Sequence, residues 1–316
     1  MKLKRLIHCC VHLLRGGFDC IFFDSVFGPS IFFLSLLAKL RRIPILIRSR
    51  GGLGNEFAAQ YGLKWYGKLY DCILVRIGKK NYQMASHIFA VSDYHKNQIS
   101  QLGIPVRRIT TLPNPLPEIQ YLQENGCESV RTKLGLSPEV KIILIVTNFN
   151  YSEKFGPVIE YLAPIVAIVQ DMNNWQVVIL GHGKYLPEVK KRIIEFGYEH
   201  QVHCVGFFRD MISAYCDSAC VLYLTGLDSA ANVVVEAQYY KKCLIVNAYE
   251  ALLEFIDSSL VPVVQGPEQL KTVLRKVMED HGYRSFVAQQ GHNFIIQKLD
   301  KKQLQQTLYN RLYSIV

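Results

Sequence analysis

The sequence predicts an α/β protein of two Rossmann-like domains, each built on a parallel sheet. Three observations predict it. Strand-like and helix-like runs alternate along the whole chain. The strand-like runs are uninterrupted and β-branched, as in Ile142-Ile143-Leu144-Ile145-Val146, which marks strands covered on both faces. The proline-stiffened Pro113-Asn114-Pro115-Leu116-Pro117 divides the alternation into two series. With 316 residues, 50% of them hydrophobic and 20% charged, the chain is long enough for two cores and excludes disorder and low complexity.

In the first series, a strand at Cys20–Phe23 precedes a helix at Ser30–Leu40. A short strand at Pro44–Ile47, a helix at Lys64–Lys79, a strand at His87–Val91 and a helix at Tyr94–Leu102 follow. The second series runs from a strand at Ile142–Val146 to a helix near Pro157–Gln170. Then come a strand at Gln176–Leu180, a helix at Leu186–Phe196, strands at Val202–Val205 and Cys220–Leu224, a helix at Val233–Tyr240 and a strand at Leu244–Val246. Leu304, Leu308, Leu312 and Ile315 give the last segment a helical stripe. The expected domains are residues 1–117 together with the final helix 300–316, and residues 118–299. In this class ligands bind beyond the carboxyl ends of the strands, so the loops after strands are where chemistry is expected.

The N-terminal Met1–Leu14 reads as an amphipathic helix, with Leu3, Leu6, Ile7, Cys10, Val11 and Leu14 on one side. It suits a membrane surface or a helix covering a sheet. His8, His12 and Arg15 interrupt the apolar stretch, which argues against a signal peptide. The run from Ser25 to Ala38 is too short to span a bilayer. His8 and His12 have the i, i+4 spacing of a metal pair, but with no third ligand nearby they read as a helical surface pair, and no metal site is expected.

Charge is uneven: residues 1–120 hold 17 Lys+Arg against 6 Asp+Glu, and the remainder 19 against 20. An anionic partner for the first half is expected, such as a membrane surface or a phosphate-bearing ligand; a merely soluble basic face is the alternative. Nucleic acid is not expected, because that half lacks interleaved aromatic residues. Nine cysteines without a C-x-x-C pair point to a reducing compartment rather than a disulfide framework.

The strongest local signal is Asp228-Ser229-Ala230-Ala231-Asn232-Val233-Val234-Val235-Glu236, after the strand Cys220–Leu224. Two acids lie on either side of a helix start, where backbone N–H groups attract phosphate. Carboxylates so placed accept hydrogen bonds from sugar hydroxyls, the chemical outline of a nucleotide-sugar site. Here the sequence resembles the retaining GT-B glycosyltransferases of family 4, whose E-x7-E motif it matches with Asp228 in place of the first Glu. The segments Ala85–Ser92, Gly103-Ile104-Pro105, Leu112-Pro113-Asn114, Val177–Gly183, Val202–Phe207 and Ala214–Cys220 extend the likeness over residues 20–260.

The resemblance implies transfer of a sugar from a UDP- or GDP-linked donor to a glycan or lipid-linked acceptor, with no cofactor. It makes Glu236 the ribose-binding acid, Asp228 the acid near the transferred sugar, and Ala230 and Ala231 donors of N–H groups to the diphosphate. An ordinary exposed helix residue is the alternative for Glu236. After the strand Ile142–Val146 the family carries an Arg and a Lys that neutralise the leaving diphosphate. Lys154 keeps the second place and Asn148 stands in the first. Arg50, in Arg48-Ser49-Arg50-Gly51-Gly52-Leu53-Gly54, can supply the absent charge, or this is a plain glycine turn. Asn148, Asn232 and Gly181 complete the expected donor-binding set, and Asp228, Lys154 and Arg50 the catalytic one.

No D-x-D occurs, which favours a metal-independent transferase. The family's first strand and Gly-rich loop have no counterpart before Cys20, so a truncated N-domain, or one completed by another polypeptide, is expected. The rival reading is a non-catalytic GT-B-like subunit that binds a partner chain or membrane. The expected location is cytoplasmic, peripheral on the inner face of a membrane.

Overall fold

The computed structural model describes residues 2–26, 28–51, 65–116 and 129–315. The chain divides into two units, Met1–Pro115 with Lys301–Val316, and Leu116–Asp300.

In the first unit, α1 (Lys2–Arg15), β1 (Ile21–Phe23), α2 (Pro29–Leu40), β2 (Ile45–Ser49), α3 (Trp65–Met84), β3 (His87–Ala90), α4 (Asp93–Gln101) and β4 (Ile109–Thr111) follow in order. The four strands form one parallel sheet in the order β1-β2-β3-β4. Alternation along the strands sends Ile45, Ile47, Ile88, Ala90 and Ile109 to one face, where they pack with Ala38, Tyr82 and Ile99. Ser92 starts α4 because its hydroxyl accepts the N–H of His95 at 3.0 Å. At the end of β2, the buried Ser49 hydroxyl lies 2.7 Å from His95 Nε2 and also bonds the Tyr82 hydroxyl.

The second unit comprises α5 (Val130–Leu134), β5 (Lys141–Asn148), α6 (Ser152–Gln170), β6 (Trp175–His182), α7 (Leu186–Glu195), β7 (Val202–Gly206), α8 (Met211–Asp217), β8 (Ser218–Tyr223), α9 (Asn232–Tyr239), β9 (Cys243–Asn247), α10 (Glu250–Leu253), β10 (Val263–Val264), α11 (Pro267–Glu279) and α12 (His281–Lys298). The chain then returns to the first unit as α13 (Lys301–Tyr313). Six parallel strands lie in the order β10-β9-β8-β5-β6-β7. The chain moves outward from β5 through β6 to β7, then crosses back to place β8 on the other side of β5. That reversal opens a crevice at the carboxyl ends of β5 and β8. Ile143, Ile145, Val177, Ile179, Leu222 and Ile245 form the centre of its core, all but fully buried.

The expected strands and helices have counterparts with ends shifted by up to five residues; the helix expected at Lys64–Lys79 runs on to Met84, and Lys64 lies outside the described residues. The helix expected near Pro157 begins at Ser152. Proline favours a helix start, but Pro157 lies in the second turn, where the carbonyl it leaves without a helical donor, that of Glu153, accepts the N–H of Gly226 instead.

Candidate functional site

A cavity of about 330 Å³ opens at the carboxyl ends of β5, β6 and β8, lined among others by Asn148, Lys154, Gly181, Phe207, Asp228 and Asn232. It occupies the crevice at the strand-order reversal, and the described residues that line it belong to the second unit. Gly181 is required by its floor. Its φ is +151°, and an added Cβ would fall 1.9 Å from the Thr147 carbonyl oxygen. This close approach brings the ends of β5 and β6 together. Asn148 turns its amide oxygen back to the N–H of Asn150 at 3.1 Å and to that residue's side-chain amide at 2.9 Å. It therefore shapes the loop and contributes no charge.

The loop after β8 is tied to β9 by a reciprocal pair. Thr225 N–H donates to Asn247 Oδ1 at 2.9 Å, and Asn247 Nδ2 donates to the Thr225 carbonyl at 2.8 Å. From this anchored loop Asp228 folds over the start of α9. Its Oδ1 accepts the N–H groups of Ser229, Ala230 and Ala231 at 2.7, 3.0 and 3.0 Å. Its Oδ2 accepts the Tyr223 hydroxyl and lies 3.9 Å from Lys154 Nζ. Burial, with the Asp228 charge second, holds the Tyr223 phenol far above its usual range, so it stays a donor.

This arrangement corrects one expectation. The N–H groups of Ala230 and Ala231 do not face an empty anion site; they are spent on Asp228. The reason is side-chain length, since an aspartate bonds backbone N–H groups one to three residues ahead in its own turn, here in the loop that leads into α9. Ala231 makes the turn at φ +45°, a left-handed conformation unusual for a residue with a Cβ, and is fully buried. Beyond it, Asn232 and Val233 open α9 and line the cavity. The first-turn N–H groups of a helix have no partner within it, and the helix dipole favours an anion there.

Glu236 lies one turn further along α9. Its Oε2 accepts the Tyr215 hydroxyl at 2.7 Å. Burial pushes the Glu236 carboxyl above its ordinary range, and the Tyr215 hydrogen bond pulls the other way. Tyr215 in turn stacks on Tyr240, with ring centroids 5.5 Å apart.

Arg50 belongs to the first unit, where its guanidinium makes a two-pronged ion pair with Asp24. That engagement, rather than a free charge, is its state here. Of the glycine loop expected beside it, Gly51 is described, and residues 52–54 lie outside the described residues.

Sequence reasoning missed Tyr223, Tyr215 and Phe207. The two tyrosines meet their carboxylates across turns of the fold, and nothing local marks them. Phe207 carried a signal, a Phe-Phe pair directly after a strand. Its ring is 70% exposed at the cavity and meets His182 edge-on, with centroids 5.7 Å apart. Among the described residues no group of three or more metal-ligating side chains comes together.

Residues 128–294 match the profile of the family described as glycosyl transferases group 1. A viral protein, ORF31 of a virus isolate from Victoria, Australia, provisionally named a glycosyltransferase, is 26% identical over 159 residues, which is 48% of this chain and 46% of that protein. The match thus spans about half the length of this curated relative. Among solved structures, HepE of Anabaena in complex with UDP and glucose superposes with a TM-score of 0.76 at 14% identity, covering 99% of this chain and 80% of HepE. Sucrose-phosphate synthase of Thermosynechococcus elongatus gives 0.70 at 13% identity, covering 99% and 78%. At these identities the likeness speaks for the fold alone, which is the two-sheet GT-B architecture.

Proposed function

We propose that this chain, which belongs to the glycosyl transferases group 1 family, moves a sugar from a nucleotide-sugar donor to a glycan or lipid-linked acceptor. One observation carries the reading: Lys154, Asp228 and the start of α9 converge on a single cavity at the carboxyl ends of β5 and β8. A diphosphate is the ligand that suits a lysine beside a helix N-terminus. HepE has been solved with UDP and glucose and with UDP-glucose, which supports a UDP-linked donor for this chain.

In this reading the diphosphate lies between Lys154 Nζ and the N–H groups of Asn232 and Val233, in place of those of Ala230 and Ala231. Glu236 accepts the ribose hydroxyls, and the exposed Phe207 ring offers a face to the base. Asp228 orients the transferred sugar through its hydroxyls. Transfer is retaining. The bond from the anomeric carbon to the diphosphate oxygen breaks with its electron pair leaving on the diphosphate. The acceptor oxygen bonds that carbon from the same face, and its proton passes to the departing phosphate oxygen. Lys154 and the helix dipole stabilise the growing charge without a metal ion or cofactor.

Calorimetry with UDP and GDP, followed by a transfer assay over their sugars, tests this. Binding of one nucleotide with turnover of its sugar is the expected result, and no binding of either would overturn it. The engagement of Asp228 and the lack of charge at Asn148 favour one second reading, a nucleotide-binding subunit without turnover. Binding that is never followed by transfer or donor hydrolysis would select it.

A further inference from the structure

Among the described residues, seven of the large apolar side chains that the fold leaves exposed fall between Val11 and Leu40, in the first unit. Two helices carry most of them. On α2, Phe33, Leu36 and Leu40 recur at helical spacing along an outer stripe, while Ser35 and Ala38 are buried on the inner one. Phe33 is 57% exposed and Leu40 is 75% exposed. On α1, which packs against α2, Val11 and Leu14 are exposed and Leu13 is buried. Isolated surface leucines need no explanation, but two stripes on adjoining helices do.

The charges beside these stripes say what covers them. Arg15, Lys39, Arg41 and Arg42 are all exposed. Among the described residues none of the four enters an ion pair with a carboxylate. Lys39 and Arg41 flank Leu40 directly. A Cβ built on Gly16, just past the end of α1, would lie 3.0 Å from Arg41 Nη2, so the cationic ends of the two helices adjoin. Over residues 1–50 the sequence holds 9 Lys+Arg against 2 Asp+Glu. No helix among the described residues is long and apolar enough to cross a membrane.

We propose that the outer faces of α1 and α2 form a docking surface for an anionic lipid bilayer, on which this unit lies without spanning it. The apolar stripe enters the headgroup boundary, and long cationic side chains reach from its edges to lipid phosphates. Twelve residues in α2 give a helix of about 18 Å lying in the membrane plane. An acidic protein would satisfy the cations, but the bare Leu40 between two of them needs an apolar medium as well as an anionic one. A bilayer interface supplies both. The inference stands apart from the nucleotide site, which belongs to the other unit.

Vesicle sedimentation of the full chain tests it, with phosphatidylcholine alone and with equal parts phosphatidylcholine and phosphatidylglycerol. Binding to the anionic vesicles should exceed that to neutral ones by about tenfold or more and fall as salt is added. Leu36→Asp with Leu40→Asp should lose that binding while UDP binding and melting temperature stay as in the parent. Lys39→Gln with Arg41→Gln should weaken it by about tenfold and leave the fold untouched, since both side chains are exposed. Equal partition onto the two vesicle types, no binding to either, or undiminished binding by both variants would overturn the proposal. So would a dimer in sedimentation velocity that the Leu36→Asp, Leu40→Asp variant dissolves, or binding of RNA in place of vesicles.

Discussion

Gly226 donates its backbone N–H to the carbonyl of Glu153 at 2.7 Å. That carbonyl is the one Pro157, having no N–H, leaves without its helical partner four residues on. A proline in α6 thus creates the acceptor that holds the loop after β8, and the hydrogen bond sets Asp228 near Lys154, one residue beyond Glu153. Gly226 is itself constrained, since a Cβ there would lie 3.1 Å from the same oxygen.

Pro157→Ala should therefore restore a competing N–H inside α6 and loosen the loop. The expected outcome is an unchanged or higher melting temperature with UDP affinity reduced about fivefold, the equivalent of one net hydrogen bond of about 1 kcal/mol. Calorimetry and thermal melts on the same preparation read the two effects separately. A variant that binds UDP as well as its parent would show that the loop is held by other contacts.

Lys154 and Asp228 should respond differently to nucleotide and to nucleotide sugar. Lys154→Ala removes a charge-assisted contact worth about 1.5–3 kcal/mol, so UDP should bind at least tenfold more weakly. Asp228→Asn removes a negative charge beside the proposed diphosphate position while keeping an acceptor for the loop N–H groups before α9. It should bind UDP more tightly than the parent and lose most of any preference for the UDP-sugar. Asp228→Ala, which leaves the loop N–H groups of Ser229, Ala230 and Ala231 without their acceptor, should lower stability by about 1–3 kcal/mol in urea melts. Weaker UDP binding by Asp228→Asn would place the diphosphate away from this carboxylate.

The two-sheet fold was legible because its signals are local: a run such as Ile142–Val146 reads as a buried strand without knowledge of its neighbours. The passage that lines the cavity was legible for the same reason, since Asp228 and Asn232 follow one another on a single strand-loop-helix run. What could not be read was the direction of hydrogen bonds. Ala230 and Ala231 were expected to serve a ligand, yet the short Asp228 side chain reaches them first. Arg50 was expected to supply the charge absent at Asn148, with a plain glycine turn as the alternative, and its partner Asp24, 26 positions earlier, comes beside it only once β1 and β2 pair. Tyr215 and Tyr223 have no local mark at all. Their partners are fixed by where α8, β8 and α9 end in space.

Glu236 carries a cost that its proposed role explains. Its carboxyl is raised by burial, so the folded state holds its proton more tightly than the unfolded chain does. Stability should then fall as pH rises from the ordinary carboxylate range through the raised value, and the deficit should persist at neutral pH. Glu236→Gln should remove it, keeping an acceptor for Tyr215 and matching or exceeding the parent in melting temperature at pH 7. Nucleotide binding should move the opposite way, weakening at least tenfold as a charged acceptor of ribose hydroxyls is lost. In the parent, UDP affinity should rise with pH across the same window. A Gln variant that is both less stable and equally tight would make Glu236 a structural residue.

His87 supplies an acid-sensitive joint in the first unit. It is nearly fully buried on β3, and its Nε2 lies 2.9 Å from Thr110 Oγ1. That hydroxyl also accepts Arg311 Nε of α13 at 3.2 Å, so one side chain of β4 joins His87 to α13. Burial first, with Arg311 and Arg108 adding like charge, lowers the His87 pKa to about 4. A free imidazole titrates near 6.5, so below that value the unfolded chain binds the proton more readily than the folded one. This contribution to stability is whole above about pH 6.5 and is lost progressively as pH falls toward 4. Protonation would also set the imidazolium charge against the Arg311 guanidinium across the Thr110 hydroxyl, loosening α13 from β4. Urea melts of the parent at pH 7 and pH 5 should show a drop that His87→Gln, which cannot titrate, reduces. Arg311→Gln should reduce it too, by removing one of the like charges. Identical drops in the parent and His87→Gln would assign the acid sensitivity to another group.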